Sequence, residues 1–181
     1  MAAGAGEVEA VPGVRVRVAS VRGLADAGAS ARGIRAGEAP AALAALDAGA
    51  APLLAPVLAA CVRAARDRAA GQGAARTPGA EIVLALSGSK HVAEAFSRFG
   101  VSPESRGAVL VCLVDDLGEA EFERAVAELF PGERWPGPEP LPPAPEDLSR
   151  IAKLYKLRPE ETADVRAAED AVLSKMALRG L

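Results

Sequence analysis

Valine and arginine alternate strictly from Val14 to Val18. Successive side chains of a β-strand point to opposite faces of the sheet, so this period of two predicts a half-buried strand. A second apolar segment, residues 108–114, is closed by Asp115 and Asp116 and predicts another strand. The chain is therefore expected to contain a sheet, whose apolar surface has to be covered by other elements.

The covering elements are predicted to be helices. Apolar residues recur at helical spacing in residues 56–71 and in residues 119–130, with charged residues on the opposite sides. Two more helices are predicted, one around Ile151 and one from about residue 159 to residue 178. Together these elements predict an α+β fold with a small, mostly antiparallel sheet packed by several helices.

One domain accommodates this length. A chain of 181 residues is expected to bury roughly 70% of the surface of its unfolded form. Only one Trp, one Tyr and four Phe are present, so the core has to consist mainly of Val, Leu, Ile and Ala. We interpret residues 1–12 as a flexible lead-in and residues 13–181 as the single domain.

The compartment is predicted to be the cytoplasm and nucleus. No segment reaches the ~20 apolar residues that a membrane span requires, and the first dozen residues lack the pattern of a secretory signal. Cys61 and Cys112 both lie in apolar patterns, which predicts two buried thiols in a reducing compartment. A disulfide between them is the alternative.

Few residues could perform catalysis. Because His91 is the one histidine, a metal centre of several histidines is impossible, and two distant cysteines do not make a zinc site. No G-x-S-x-G motif is present, and Asp115-Asp116 is interpreted as a strand end. We therefore expect no enzyme activity, no cofactor and no metal.

The segment from Glu81 to Gly100 contains the one local pattern that could bind an anion. Residues 81–86 predict a buried strand, Ser87-Gly88-Ser89 a turn, and residues 90–99 a helix. The free N–H groups and partial positive charge of a helix N-terminus favour a phosphate, and Lys90 adds a cation. The alternative is that Ser87 or Ser89 only caps the helix.

Charge is unevenly distributed around this segment. Residues 62–98 carry six positive and three negative side chains, whereas residues 99–147 carry three positive and eleven negative ones. Such asymmetry fits either one anion-binding face or ordinary solvated helices.

Three single residues near this segment or near the C-terminus also have predicted positions. Arg76 either lies beside the turn or points into solvent, and His91 is predicted to be a surface residue. Tyr155 is either a core residue with a tethered hydroxyl or a base-stacking platform.

Four segments resemble a known family. Residues 81–87 (EIVLALS) and 92–102 (VAEAFSRFGVS) resemble the pattern E-I-x-x-x-L-S … I-x-E-A-x-x-x-F-G-I-S of the PRPK-binding protein (TPRKB) family. Residues 151–157 (IAKLYKL) resemble the x-I-Y-K-L segment of that family, and residues 171–176 (AVLSKM) its closing helix. The resemblance extends over nearly the whole chain from the Val14 strand onward.

This resemblance implies a non-catalytic regulatory subunit of the KEOPS complex. Family members bind the small lobe of the KEOPS atypical kinase/ATPase, and through it they associate with the threonylcarbamoyl transferase subunit. The complex makes threonylcarbamoyladenosine in transfer RNA, and archaeal relatives hold the 3′ CCA end of that RNA. The resemblance thus implies the kinase as direct partner and tRNA as a further partner, with no membrane.

The predicted contacts follow from this reading. The candidate RNA-binding residues are Arg76, Ser87, Gly88, Ser89, Lys90 and His91. The kinase is expected to meet an exposed helical patch, for which Val165, Val172 and Met176 of the last helix are candidates. A protein–protein adapter with no RNA contact is the first alternative, and a small enzyme on a divergent scaffold is the second.

Overall fold

The computed structural model describes residues 5–51, 53–138, 140 and 142–179. Five strands form one sheet within these residues, and every pairing is antiparallel. They are β1 (Gly6–Val11), β2 (Val14–Arg22), β3 (Ala44–Asp47), β4 (Gly107–Leu113) and β5 (Glu133–Trp135). The order is β1–β2–β4–β3, and β5 pairs with residues 20–22 of β2.

Helices cover both faces of the sheet. The described residues form seven α-helices and one short 3-10 helix at Pro159–Thr162. The α-helices are α1 (Ala27–Ala36), α2 (Leu54–Ala69), α3 (Pro78–Ser87), α4 (Val92–Phe99), α5 (Glu119–Leu129), α6 (Pro145–Tyr155) and α7 (Val165–Arg179). One face of the sheet, here called the five-helix face, is covered by α2, α3, α4, α6 and α7, and the other, the two-helix face, by α1 and α5. The α+β fold with an antiparallel sheet is confirmed.

The two central strands bury both of their faces. In β2, Val16 and Val18 pack under the five-helix face, whereas Ala19 and Val21 pack under the two-helix face. The β4 side chains divide in the same way, which explains why residues 108–112 are a continuous apolar run rather than an alternating one. The strand predicted at residues 108–114 is confirmed.

The strand at Val14 is confirmed, but it is not half-buried as predicted. Arg17 lies on the inner side of the two-helix face and is only 4% exposed. Its guanidinium donates a 2.8 Å hydrogen bond to the Leu117 carbonyl, pairs with Glu7 and lies 5.9 Å from the ring centroid of Phe122. These partners compensate the charge, so the alternating pattern misleads about burial.

The strand predicted at residues 81–86 is wrong, because this segment is the helix α3. Thr77 caps α3 by accepting the Ala80 N–H at 3.2 Å, and Pro78 occupies the first turn. All residues from Glu81 to Ser87 are buried, since α3 lies between the sheet and other helices. A helix buried all round shows no amphipathic period, so periodicity could not distinguish it from a buried strand.

The N-terminal segment also differs from its prediction. Part of the expected flexible lead-in is β1, whose residues 6–9 pair with residues 15–18 of β2. β3 and β5 were not predicted. The helices predicted at residues 56–71 and 119–130 are confirmed as α2 and α5, and the helix predicted around Ile151 as α6. None of the described helices is both long and apolar enough to cross a membrane.

Candidate partner-binding groove and predicted RNA-binding turn

Helix α2 carries two apolar stripes. Its inner stripe is almost fully buried under the five-helix face and comprises Val57, Ala60, Cys61 and Ala64. A second stripe, at helical spacing on another side, comprises Ala55, Leu58, Ala59 and Val62. Leu58 and Ala59 of this stripe pack partly against the core of the five-helix face, and Val62 is 8% exposed, so the outer side of the stripe is the part open to a further contact.

The second stripe forms the floor of an open groove of about 660 Å³. Leu173, Met176 and Ala177 of α7 line one wall, and Ala10 and Val11 of β1 line the other. Alanines recur along the floor and the α7 wall, and their short side chains leave the space that bulkier residues would fill. We call this feature the α2–α7 groove.

The rim of the α2–α7 groove carries charge. Arg63 forms an i,i+4 ion pair with Asp67 at 3.4 Å. Arg66 is exposed and has no ionic partner among the described residues. The groove therefore offers an apolar floor and one uncompensated cation, although the whole chain has a formal net charge of −3.

The candidate partner-binding residues of α7 do not share one surface. Val165 is 43% exposed, whereas Val172 is 1% and Met176 8% exposed, and both of these pack into the core of the five-helix face. The expectation that the three form an exposed patch is therefore corrected. Met176 also belongs to the α7 wall of the α2–α7 groove. The groove residues of α2 were not among the predicted partner-binding residues. The sequence feature that could have indicated the α2 groove residues is the wide apolar surface of the helix over residues 55–66.

The predicted RNA-binding turn connects two helices rather than a strand and a helix. Gly88 ends α3 with a φ of 61°, a left-handed conformation that suits glycine. Ser87 Oγ accepts the Ser89 N–H at 3.0 Å, and Ser89 Oγ accepts the His91 N–H at 3.0 Å. Lys90 and His91 are exposed. Both serine hydroxyls therefore accept a backbone N–H two residues further on, within the turn, whereas His91, the N-cap of α4, makes no side-chain capping hydrogen bond.

A carboxylate already lies at the start of α4. Ser89 Oγ donates a 2.7 Å hydrogen bond to Glu94 Oε2, and this bond together with the Arg98 guanidinium lowers the pKa of Glu94. The carboxylate is therefore ionised at neutral pH and occupies part of the region that would attract a phosphate. The carboxylate disfavours a phosphate at this turn, and neither serine is the N-cap of α4, which is His91.

Arg76 lies far from this turn. It is exposed in the loop before Thr77, at the N-terminal end of α3, whereas Lys90 follows the C-terminal end. Since α3 has ten residues, its length separates the two ends by about 15 Å. Arg76 and Lys90 therefore lie at opposite ends of α3 rather than side by side. Their role in RNA binding stays a prediction.

Two further predictions concern reactive groups. Cys61 and Cys112 are both free and buried, as expected, and burial raises the pKa of both thiols. In the part of the chain that the structure describes, no three His, Cys, Asp or Glu residues cluster in a way that could hold a metal ion.

Most of this chain matches the model of one protein family. Residues 22–180 match the family described as kinase binding protein CGI-121. The chain belongs to the CGI-121 family. This membership confirms the resemblance to the PRPK-binding proteins, and the matched residues include both α2 and α7 of the groove.

Two CGI-121 relatives are similar over about two thirds of the chain. The EKC/KEOPS complex subunit cgi121 of Schizosaccharomyces pombe is 30% identical over 124 residues, which cover 68% of this chain and 70% of that protein. The EKC/KEOPS complex subunit cgi121 of Aspergillus fumigatus is 28% identical over 128 residues, which cover 68% of each chain. The family description names kinase binding, and the names of both relatives place them in the KEOPS complex.

Proposed function

We propose that this chain is the kinase-binding subunit of a KEOPS complex and that it binds its kinase through the α2–α7 groove. The family description and the names of the two relatives support the partner and the complex. The observation that carries the location is the second apolar stripe of α2, because an apolar groove on a small protein is typical of a protein-binding site.

In this proposal the chain performs no chemistry of its own. It assists threonylcarbamoyladenosine modification of tRNA by binding the atypical kinase/ATPase, which connects it to the transferase subunit. Contact with the tRNA 3′ end would involve the exposed cations Arg76 and Lys90. Its place of action would be the cytoplasm and nucleus, and the two free thiols support a reducing compartment.

An adapter without RNA contact is the second candidate function. The hydrogen bond from Ser89 to Glu94 supports it, since an ionised carboxylate at the predicted turn repels phosphate groups. Gel-shift measurements with the purified chain and tRNA separate the two candidates. Binding that weakens steeply with salt favours the first function, and no binding at low salt favours the second.

Affinity capture with the KEOPS kinase subunit of the same organism tests the proposal. The wild-type chain is expected to recover the kinase. Ala59→Glu places a charged side chain on the groove floor and is expected to weaken the affinity at least about tenfold. Ala127→Glu makes the same change at an exposed α5 position on the two-helix face and serves as the matched control.

The outcomes are distinguishable. If the wild-type chain recovers no kinase, the proposed function is wrong. If Ala59→Glu binds as well as Ala127→Glu and both melt at the wild-type temperature, the kinase binds elsewhere and the assignment of the groove is wrong.

A further inference from the structure

The α2–α7 groove has the dimensions of a helix-binding site. Its α2 lining, floor and rim together, extends from Ala55 to Arg66, which is three turns of α2 and about 17 Å. Leu173, Met176 and Ala177 of α7, spaced at i, i+3 and i+4, form a row of side chains on one wall. The groove between two adjacent helices receives the side chains of a third helix when that helix presents an apolar stripe at the same spacing.

The β1 wall is poorly suited to an added strand. An extended peptide would have to continue the sheet along β1, where only Ala10 and Val11 line the groove. The register of β1 with β2 shifts between Glu9 and Val11, which is a bulge or irregularity in the ladder. Such shifts twist an edge away from further pairing. The occupant is therefore better matched to the two helical walls than to the strand edge.

Charge at one end of the groove restricts the occupant further. Arg66 is exposed and lacks an ionic partner among the described residues, while the neighbouring Arg63 is paired with Asp67. An acidic side chain on the occupant would form a charge-assisted hydrogen bond with Arg66, and a basic one would be repelled. The apolar floor therefore calls for an apolar stripe on a complementary helix, and this cation calls for an acidic residue at one end of that stripe.

We infer that the α2–α7 groove binds an amphipathic α-helix of the kinase, about three turns long, with an acidic residue opposite Arg66. This inference rests on the proposed function, because the kinase is the partner. Apolar side chains at i, i+3, i+4 and i+7 of that helix fill the space above Leu58, Ala59 and Val62. The acidic residue lies near the C-terminal end of α2.

Site-specific photo-crosslinking tests the shape of the occupant. A photoreactive phenylalanine replaces Leu58 or Leu173 in the groove, or Ala127 on the two-helix face as a control, and each full-length variant is mixed with the kinase subunit. Mass spectrometry then identifies the crosslinked kinase residues. Crosslinks spaced by three, four and seven residues from both groove positions, with none from position 127, are the expected result.

The charge is tested by Arg66→Glu, with Arg124→Glu on α5 as the matched control. Arg66→Glu is expected to weaken kinase binding about tenfold and Arg124→Glu less than about twofold. A lysine at the acidic residue of the crosslinked kinase helix is expected to restore binding to Arg66→Glu. Equal binding by the two arginine variants would overturn the inference.

Other results of the crosslinking separate this inference from the proposed function. Kinase crosslinks at alternate residues would mean an extended occupant, and crosslinks between two copies of this chain would mean a homodimer in the groove. Either result overturns the helical occupant while kinase recovery by the wild-type chain still supports the proposed function. A wild-type chain that captures no kinase overturns both.

Discussion

The hydroxyl of Tyr155 donates a 2.8 Å hydrogen bond to the backbone carbonyl of Leu86. That carbonyl belongs to the last turn of α3, where the final four carbonyls have no partner within the helix. The Tyr155 ring is 2% exposed and packs edge-on against Phe99, with ring centroids 5.7 Å apart. Tyr155 thus connects α6, α3 and α4, and it is a core residue rather than a base-stacking platform.

Tyr155→Phe is expected to lower the free energy of unfolding by about 1 kcal/mol, because it removes this hydrogen bond and leaves a buried carbonyl without that donor. Urea denaturation measures the change. Ser174→Ala is the control, since Ser174 Oγ donates to the Asp170 carbonyl of its own helix on the exposed side. Its effect is expected to stay within about 0.5 kcal/mol. Equal effects of the two substitutions would contradict the role of Tyr155.

Gly79 lets α3 approach the chain that leads into β3. Its N–H donates a 3.0 Å hydrogen bond to the Ala41 carbonyl, and a Cβ at this position would lie 2.3 Å from the Leu43 carbonyl oxygen. Gly79→Ala is therefore expected to destabilise the fold by at least about 2 kcal/mol, despite the higher helix propensity of alanine. Thermal and urea unfolding measure it.

The matched control is Gly118→Ala at the start of α5, where an added Cβ would meet no atom within 4 Å. A loss of stability there comparable with that of Gly79→Ala would show that the cost comes from glycine replacement in general and not from the close approach of α3.

Arg17 is the buried cation that connects β2 to the segment before α5. Arg17→Met is expected to cost about 2 kcal/mol, because the Leu117 carbonyl loses its donor and Glu7 loses its partner. Glu7→Gln is expected to cost less than about 1 kcal/mol, since the glutamine amide oxygen can still accept the hydrogen bond of the buried Arg17 guanidinium. Urea denaturation of both variants checks this order, and the reverse order would contradict it.

The sequence predicted the elements that have one buried face or a strong boundary. The helix α5 was predicted from residues 119–130 because Phe122 and Val126 face the sheet, the opposite side is acidic, and Pro131 follows. The strand β4 was predicted from its apolar run. In such segments local pattern and tertiary environment agree, so the pattern is sufficient.

The elements that the sequence did not predict correctly depend on contacts between residues that are distant in sequence. α3 contains Ile82 and Val83, which favour strands, and its burial by the sheet and other helices removes the amphipathic period. Buried charges were not predicted, for the same reason. Asp47 is 3% exposed, accepts a 2.6 Å hydrogen bond from Ser105 and lies 3.1 Å from the Arg150 guanidinium. No local pattern indicates partners 58 and 103 positions away. The second apolar stripe of α2 can be read from the sequence. That it faces an open groove depends on the positions of α7 and β1, which the sequence does not show.

The buried thiols predict a loss of stability at alkaline pH. Burial raises the pKa of Cys61 above its ordinary value of 9.0 and that of Cys112 to about 11, although Arg17 partly opposes the second shift. The unfolded chain therefore loses its thiol protons first, and the stabilisation that is complete below pH 9 declines as the pH rises toward the folded pKa. Between pH 8 and pH 10 each thiol is expected to cost about 1 kcal/mol.

Urea unfolding under reducing conditions at both pH values measures this decline. The double variant Cys61→Ala/Cys112→Ala is the control for all other groups that titrate in this range, and it is expected to lose less stability than the wild-type chain. The same decline in both proteins would contradict the assignment to the thiols.

Charge reversal at the two ends of α3 tests the predicted RNA contacts. Arg76→Glu and Lys90→Glu are each expected to weaken tRNA binding about tenfold and to reduce the slope of log affinity against log salt by about 0.7, if each residue neutralises one phosphate of a single strand. Because both side chains are exposed, the fold and its unfolding transition are expected to stay unchanged. Gel shifts over a salt series give both quantities, with Arg124→Glu on α5 as the control.

The turn itself is tested by Glu94→Gln. This substitution removes the carboxylate that Ser89 holds at the start of α4, so a phosphate at the turn would be repelled less and tRNA binding is expected to tighten. If Glu94→Gln and Lys90→Glu both leave binding unchanged while Arg76→Glu weakens it, the RNA contacts the loop before α3 and not the turn. If all three variants behave as Arg124→Glu does, neither end of α3 binds RNA, and the adapter function without RNA contact is favoured.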